Sequence, residues 1–360
     1  MTKNTKYGII SDIHENPRVV PLAIGTLKSK GVEKLLVNGD IGGNKGTLQD
    51  SQNYTAFILN EIGKSGLESF VMPGSHETLV GYAPVIDHFA GKYDNIFDVQ
   101  KISHVENNGH KLVFLPGSDF LCGGEYELGN GNIPSGKYFY DGEKLFNLEP
   151  EQYVQLKEGQ RQFQYANIND IKKLVAEPEK TIVVSHVPRK FHNIDEAVDV
   201  AHFYQGRAYH RDIDDMSKWT YTELSVCPIS VPKEVVERQN STKVFGIDKS
   251  ENHILKETLK LIEKEDVERW QVFVEAKENR GNGDLKNLYE DLGITKAISA
   301  HFHESGHRAN NNLGNPVKEN TFTNSLFYNS GCLDNGQAGI LTIRDDAQVS
   351  YENVKLQNSK

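Results

Sequence analysis

The chain has 360 residues and a formal net charge of −10, with 50 Asp and Glu residues against 40 Lys and Arg residues. This length allows two or three average domains, or one α/β domain with insertions. The excess of acidic residues argues against attraction to long nucleic acid or to an anionic membrane surface.

The three cysteines, Cys122, Cys227 and Cys332, are widely spaced and form no Cys-x-x-Cys pair. This pattern indicates reduced thiols in a reducing compartment. The first residues lack the apolar segment of a signal peptide, and no stretch reaches the ~18 consecutive apolar residues of a membrane span. We therefore predict a cytoplasmic protein with no membrane partner, and the sequence leaves the oligomeric state open.

The N-terminal part of the chain alternates short apolar runs with segments of helical periodicity. The runs at 7–10, 34–38 and 67–72 are too short for helices and predict buried strands. Between them, apolar residues at helical spacing over 20–27 and 54–62 predict two helices. Repeated strand–helix units form a parallel sheet with right-handed crossovers, which brings the carboxyl ends of the strands to one edge.

Side chains of the types that bind metals follow each of these three strands. Open α/β sheets bind ligands at this edge, and carboxylate oxygen together with imidazole nitrogen suits Mn, Fe or Zn better than Ca or Mg. The alternative for the first of them is that Asp12 caps the helix that follows. The residues at the three strand ends are Asp12, His14, Asp40, Ser75 and His76.

Two later apolar runs end in the same way. The run Thr181–Ser185 is followed by His186, and the run Lys296–Ser299 is followed closely by His301 and His303. Residues at positions i and i+2 of a strand point to the same side, so the last two imidazoles can serve one metal or two adjacent metals. The alternatives are a purely structural histidine in the first case and a solvent-exposed pair in the second.

Two long segments interrupt the strand–helix pattern. Residues 120–166 are rich in Gly and Tyr and predict an irregular excursion whose aromatic side chains either pack the excursion itself or stack on a base. The segment 187–283 is too long for an ordinary connection and predicts an inserted cap. The core would then consist of residues 1–186 and 284–360.

The predicted cap contains both helical periodicity and a cluster of cations. Apolar residues at helical spacing over 255–262 and again over 267–274 predict two helices. Arg207 and Arg211 stand among aromatic residues, a combination that suits phosphate gripping and ring stacking. A solvated loop explains the two arginines equally well, so their role in substrate binding is a hypothesis.

In chain order, the strand ends carry the elements Asp-x-His, Gly-Asp, Gly-Ser-His-Glu, Ser-His and Ala-His-x-His. This ordered set resembles the pattern D-x-H, G-D, G-N-H-[DE], H and G-H-x-H of the calcineurin-like metallophosphoesterase superfamily. The resemblance covers residues 7–77, 181–186 and roughly 284–360, and it leaves both insertions unexplained. It implies an α/β fold in which a two-sheet β-sandwich is flanked by helices (αββα) and carries inserted cap segments.

The resemblance also implies a binuclear centre of two divalent metal ions, with Mn preferred and Fe, Zn, Ni or Co as alternatives. Asp40 would bridge both metals, and Ser75 stands where the family has an Asn ligand of the second metal. His76 would stabilise the transition state or protonate the leaving oxygen. The other implied ligands are Asp12, His14 and His303 for the first metal, and His186 and His301 for the second.

Two positions depart from the family pattern. The hydroxyl of Ser75 is shorter than an amide and a poorer ligand, so the second metal is expected to bind weakly or through a water. Ala300 replaces a glycine, and this replacement requires only ordinary backbone angles at that position.

By this resemblance the chain is a metal-dependent phosphoesterase in which a hydroxide shared by the two cations attacks phosphorus in line. We predict a phosphodiesterase, because the insertions could shape a pocket around groups on both sides of the phosphate. The predicted partner is a small phosphate ester, with a nucleotide as one candidate. The alternatives are a non-catalytic scaffold with a weakened second metal site, and a nuclease, which would need a basic stripe broader than Arg207 and Arg211.

Overall fold

The structure is a computed structural model that describes residues 4–43, 45–107, 109–229, 231–265 and 270–356. The chain divides into two compact units, one formed by Met1–Asp199 with Arg280–Lys360 and the other by Val200–Asn279. The second unit lies within the predicted insertion at 187–283, and its action as a cap stays a prediction. Among the described residues, no helix has both the length and the apolar character needed to cross a membrane.

The secondary structure of the described residues is mixed. In chain order, the strands are β1 (Thr5–Ile10), β2 (Lys34–Asn38), β3 (Glu68–Met72), β4 (Ile96–Asp98), β5 (His104–Asn107), β6 (His110–Leu115), β7 (Tyr126–Gly129), β8 (Gly136–Tyr140), β9 (Leu145–Leu148), β10 (Arg161–Asn167), β11 (Thr181–Ser185), β12 (Val200–Arg211), β13 (Trp219–Pro228), β14 (Val244–Phe245), β15 (Trp270–Asn279), β16 (Lys296–Ser299), β17 (Arg308–Asn310), β18 (Leu326–Asn329), β19 (Gln337–Ile343) and β20 (Val349–Lys355). The α-helices are α1 (Val19–Ser29), α2 (Leu48–Ser65), α3 (Leu79–Lys92), α4 (Lys233–Asn240), α5 (Glu251–Glu265) and α6 (Gly283–Leu292). Short 3-10 helices occur at Ile168–Lys173, Pro178–Lys180, His303–Ser305 and Leu333–Asn335.

The first sheet of the larger unit has the strand order β20-β19-β1-β2-β3-β4. Strands β1 to β4 run parallel, as the strand–helix repeats predict, with α1, α2 and α3 as the connections. The C-terminal strands extend this sheet by antiparallel pairing, β19 with β1 and β20 with β19. The two ends of the chain therefore meet in one sheet.

The second sheet has the strand order β17-β18-β16-β11-β6-β5. Its central strands β6, β11, β16 and β18 are parallel, and both edge strands pair antiparallel to their neighbours. Side chains alternate between the two faces of a strand. In β1, Tyr7 and Ile9 pack against Leu112 and Phe114 of the second sheet, whereas Ile10 belongs to the core formed with α1, α2 and α3.

The outer face of the second sheet is covered by α6. The ring of Tyr289 in this helix stacks on Phe327 of β18 with 6.3 Å between ring centroids. Helices therefore lie outside both sheets, and the two sheets pack face to face across a shared apolar core. The predicted αββα sandwich is confirmed.

The prediction that residues 120–166 are irregular is wrong. They contain β7, β8, β9 and most of β10, which form a small sheet in the order β7-β10-β8-β9. Tyr138, Phe163 and Tyr165 form an apolar cluster of this sheet, with 5.7 Å between the rings of the first two. Short strands separated by glycine-rich turns give too little periodicity to be recognised, and these aromatics pack the excursion itself.

The smaller unit is a four-stranded sheet with the order β13-β12-β15-β14. Helix α5 confirms the predicted helix over 255–262. The second predicted helix, over 267–274, is wrong where it can be examined, because Trp270 begins β15, and Val267 lies outside the described residues. Val272, Phe273 and Val274 are all buried, so both faces of this strand are covered and the alternation typical of a strand is lost.

Candidate metal centre

The polar strand ends of the larger unit converge because its strands are parallel. Asp12, Asp40 and Ser75 follow β1, β2 and β3 of the first sheet, while His186 and His301 follow β11 and β16 of the second. Each sheet delivers the carboxyl ends of its parallel strands to one edge. The two edges meet, and residues from both sheets face one another at the distances given below.

The backbone at this edge adopts conformations that L-amino acids rarely take. Asp12, Asp40 and His301 have φ values of 53°, 54° and 69°, in the left-handed region. A non-glycine residue in this region stores strain, which is common where side chains must be aimed at a functional site. Gly74 allows a close approach, since a Cβ at that position would lie 2.5 Å from Asp40 Oδ1.

The first group of candidate ligands is Asp12, His14 and His303. The Nε2 atom of His303 lies 3.2 Å from Asp12 Oδ1 and 3.2 Å from His14 Nε2. The Nε2 atom of His14 is 3.9 Å from Asp12 Oδ1. Donor atoms of the three residues lie within 4.8 Å of one another, which is close enough to hold one ion.

The second group is Asp40, His186 and His301, whose donor atoms also lie within 4.8 Å of one another. His186 is fully buried, and its Nδ1 is 2.9 Å from the carbonyl oxygen of Asn38, which fixes the ring. Its Nε2 is buried without a hydrogen-bond partner, 3.1 Å from Asp40 Oδ2. A buried ring nitrogen in this state is suited to a metal, which would satisfy its lone pair.

Asp40 lies between the two groups. Its Oδ2 is 4.0 Å from Nε2 of His14 and 3.9 Å from Nε2 of His76, and these three residues form a further group of donors within 4.8 Å. Asp40 is 1% exposed. A carboxylate can bridge two cations, so the donor set of this edge fits a pair of divalent metals that share Asp40.

The side chain of Ser75 donates a hydrogen bond to this shared carboxylate. Its Oγ is 2.9 Å from Asp40 Oδ2, while the N–H groups of Ser75 and His76 donate to Asp40 Oδ1 at 2.6 and 3.0 Å. Ser75 is fully buried. The hydroxyl therefore occupies a lone pair of Asp40 Oδ2 that a metal would otherwise use.

Attraction between carboxylates and imidazoles dominates the electrostatics of the site. Burial works against ionisation, but Asp12 outweighs it and raises the pKa of His303 to about 12, and Asp40 likewise raises the pKa of His186 to about 9. Burial is also outweighed for the two carboxyl groups, whose pKa values are lowered by these imidazoles. Burial and the nearby His186 lower the pKa of His301 to about 3. A bound cation would displace the imidazole protons, since ligand nitrogens must be deprotonated.

Glu77 supports the loops that carry these ligands, a role that the sequence did not reveal. It is fully buried, and its carboxylate accepts hydrogen bonds from the N–H groups of Ile41, Gly42 and Gly74 at 2.5, 2.9 and 2.7 Å. The loops after β2 and β3 are thereby tied together. The only signal in the sequence is the position of Glu77 directly after His76.

A second supporting carboxylate comes from the far end of the chain. Asp334 accepts hydrogen bonds from the N–H groups of His14, Glu15 and Asn16 at 2.7, 2.8 and 3.1 Å. On the other side of this loop, the ammonium group of Lys45 donates to the carbonyl oxygen of His14. No sequence signal connects Asp334 with residues some 320 positions earlier, so this role could not be predicted.

The two predicted substrate-binding arginines belong to the smaller unit, on β12. They do not lie in a loop. Arg207 stacks on Tyr221 at 4.3 Å and lies 3.6 Å from Glu251, and Arg211 stacks on Trp219 at 4.5 Å. Both guanidinium groups therefore have aromatic partners within their own unit, and their binding of substrate stays a prediction.

The sequence model of the calcineurin-like phosphoesterase family matches residues 5–226. No curated protein sequence matches the chain.

Among solved structures, the fold is similar to TT1561 of Thermus thermophilus, with 7% identity, a TM-score of 0.46, and coverage of 99% of this chain and 100% of that one. It is also similar to a dimetal phosphatase from Danio rerio, LOC 393393, with 9% identity, a TM-score of 0.41, and coverage of 98% of this chain and 99% of that one. The family match spans more than half of the sequence, and the chain therefore belongs to the calcineurin-like phosphoesterases, metal-dependent hydrolases of phosphate esters.

Proposed function

We propose that the chain is a phosphodiesterase with a binuclear metal centre, and that Asp40 is shared by the two ions. The position of Asp40 carries this proposal, because its carboxylate lies within reach of imidazoles from both groups of candidate ligands. Asp12, His14 and His303 would complete one metal site, and His186 and His301 the other. Two divalent cations at these positions supply Lewis-acid stabilisation of the phosphoryl oxygens and activate water as the nucleophile.

The protein holds the charged side chains of this site in fixed positions before a substrate binds. The carboxylate of Asp40 is fixed by the backbone N–H groups of Ser75 and His76, so little reorganisation is needed when negative charge develops on the phosphoryl group. His76 lies beside Asp40 in the third group of donors and belongs to neither of the first two groups. Its side chain is 33% exposed, so its ring can reach a bound phosphate ester.

The role proposed for His76 is to hold a proton at Nε2 for the phosphoryl group or for the leaving oxygen. Burial lowers the pKa of its imidazole, and the nearby Asp40 acts in the opposite direction. Replacement by alanine should reduce kcat by about 100-fold or more, since general acid–base catalysis contributes 10²–10⁴-fold. Metal content should stay at the wild-type level, which separates His76 from the metal ligands.

The preference for diesters over monoesters is supported by the inserted segments. The loop that leads into β7 is tied directly to the ligand loop, since the N–H groups of Cys122 and Gly124 donate to the carbonyl oxygen of Ser75 at 3.0 and 3.1 Å. A segment held beside the site in this way could contact groups on both sides of a phosphate. Arg207 and Arg211 are proposed to bind such a substrate, with a nucleotide as one candidate.

The experiment is hydrolysis of a generic aryl phosphodiester and an aryl phosphomonoester by the Mn-loaded protein. We expect turnover of the diester at the higher kcat/KM. Higher kcat/KM with the monoester would refute diester specificity while leaving phosphoester hydrolysis intact.

The alternative proposal is a non-catalytic scaffold with a weakened second metal site. It is favoured by one observation, the hydrogen bond from Ser75 to Asp40, which occupies a carboxylate lone pair. This alternative predicts one equivalent of tightly bound metal and no turnover of either ester. Two equivalents of metal with turnover would exclude it.

A further inference from the structure

The thiol of Cys332 lies between two of the candidate ligands of the first metal. Cys332 is 2% exposed, and its Sγ is 3.2 Å from the carbonyl oxygen of Asp12. The thiol also lies close enough to the imidazole of His303 to interact with it. A buried cysteine is inert toward reagents, so its contacts decide what it does here.

The backbone around Cys332 is fixed from both sides, which sets the position of the sulfur. The Oγ of Ser11 donates to the carbonyl oxygen of Gly331 at 2.8 Å, and the N–H of Leu333 donates to the carbonyl oxygen of Ser11 at 3.0 Å. The N–H of Cys332 donates to Oε1 of Gln337 at 3.2 Å. The segment on either side of the thiol is therefore bonded to the residue that precedes Asp12.

The imidazole of His303 needs a partner for its second nitrogen. Its Nε2 faces Asp12 Oδ1 and His14 Nε2, both at 3.2 Å, and this is the nitrogen that would bind a metal. A metal-binding histidine usually donates its other N–H to an acceptor, which fixes the tautomer and the ring orientation. A thiol can accept one hydrogen bond weakly while donating another.

We propose that Cys332 is a positioning residue for the first metal. Its sulfur accepts a hydrogen bond from Nδ1–H of His303 while its S–H donates to the carbonyl oxygen of Asp12. One side chain thereby sets the relative position of two of the three ligands, Asp12 and His303. This inference rests on the proposed function, because it assumes that these residues hold a metal.

The sulfur supports the site without coordinating the ion. Among the described residues, the groups whose donor atoms lie within 4.8 Å of one another include Asp12, His14 and His303 but no cysteine. The sulfur thus lies outside the set of donors. A soft thiolate ligand would favour Zn, whereas an imidazole and carboxylate set leaves Mn and Fe available.

The test compares Cys332→Ala with Cys332→Ser. Both substitutions leave a similar gap where the sulfur was, and only serine keeps a group that can donate and accept. Cys227→Ala, in the smaller unit, is the matched control. Metal binding is measured by titration of the metal-free protein with Co²⁺, followed by absorbance and by metal analysis after dialysis, with circular dichroism to establish folding.

We expect Cys332→Ala to weaken one of two Co²⁺ sites by about 10–100-fold, the usual effect of losing an outer partner of a metal ligand. Cys332→Ser should restore most of that affinity, and the control should bind both ions as the wild type does. Unchanged affinity in the alanine variant would overturn the proposal. Equal losses in the alanine and serine variants would also overturn it, because they would show that only packing matters.

Two further outcomes are distinguishable. A sulfur-to-cobalt charge-transfer band in the wild type that disappears in Cys332→Ala would make the thiol a direct ligand and refute the positioning role. Should the wild type bind no Co²⁺, or should Asp12→Ala bind both ions normally, the proposed metal centre itself fails. Failure of the centre is therefore seen without any Cys332 variant.

Discussion

The buried carboxylate of Glu77 offers a sharp test of how the metal-binding loops are held. It accepts hydrogen bonds from three backbone N–H groups, those of Ile41, Gly42 and Gly74, and these residues flank Asp40 and the loop after β3. Burial and the nearby Asp40 raise the pKa of Glu77 to about 7, and the N–H of Gly74 acts in the opposite direction. The substitution Glu77→Gln keeps the shape of the side chain and removes one acceptor.

The expected magnitude follows from these three bonds. The amide oxygen of glutamine can still accept from Ile41 and Gly42, but its NH₂ group then points at the N–H of Gly74. The N–H of Gly74 is then buried without an acceptor, which costs about 1–3 kcal/mol. We expect the free energy of unfolding to fall by roughly 2 kcal/mol when it is measured below pH 4.5, where the carboxyl group of Glu77 is protonated in both the folded and the unfolded state and loss of its charge plays no part.

Urea unfolding of the metal-free protein measures this change, because bound metal would otherwise add to the stability of the folded state. Glu33→Gln, at an exposed position, is the control and should change the unfolding free energy by less than about 0.5 kcal/mol. Displacement of Asp40 should also reduce turnover, by up to about 100-fold for a shift of 1 Å. A loss of stability below about 1 kcal/mol would refute the assigned role of Glu77.

Three further predictions concern single substitutions. Ser75→Asn replaces the hydroxyl bonded to Asp40 by an amide ligand and should raise second-metal occupancy and turnover; unchanged metal titration and kinetics would contradict this. Asp334→Ala leaves the N–H groups of residues 14–16 without their acceptor and should weaken one metal site in the same titration, whereas wild-type affinity would count against it. Burial lowers the pKa of Lys296 to about 8, so between pH 8 and about 10.4 the unfolded chain holds a proton on this residue that the folded chain lacks, and the contribution of Lys296 to stability rises with pH by roughly 2–3 kcal/mol. Lys296→Met should remove this rise in unfolding experiments, and parallel pH curves would exclude the assignment.

Most of the candidate ligands could be predicted from short apolar runs and from the rule that parallel strands bring their carboxyl ends to one edge of a sheet. Short apolar runs identified β1, β2, β3, β11 and β16, and parallel pairing placed their carboxyl ends at shared edges. Within the first sheet, Asp12 and Asp40 therefore share an edge, and His186 and His301 share an edge of the second sheet. Only the resemblance to the family implies that these two edges meet, and the structure places Nε2 of His186 3.1 Å from Asp40 Oδ2 and 3.9 Å from Asp12 Oδ1.

The supporting residues could not be predicted, because they act through contacts that leave no periodic signal. Asp334 and Cys332 lie about 320 positions from the loop that they hold, and neither belongs to the family pattern. The strand β15 was mistaken for a helix because both of its faces are buried, which removes the alternation that distinguishes a strand. Tertiary packing, which the sequence does not display, decides all three cases.

The central claim is that two metal ions share the carboxylate of Asp40. The most direct measurement is anomalous X-ray scattering from crystals of the Mn-loaded wild type and of Asp40→Ala, together with metal analysis of both proteins. We predict two anomalous peaks on either side of Asp40 in the wild type and the loss of both in the variant. A single peak in the wild type, or two retained peaks in Asp40→Ala, would contradict the shared carboxylate.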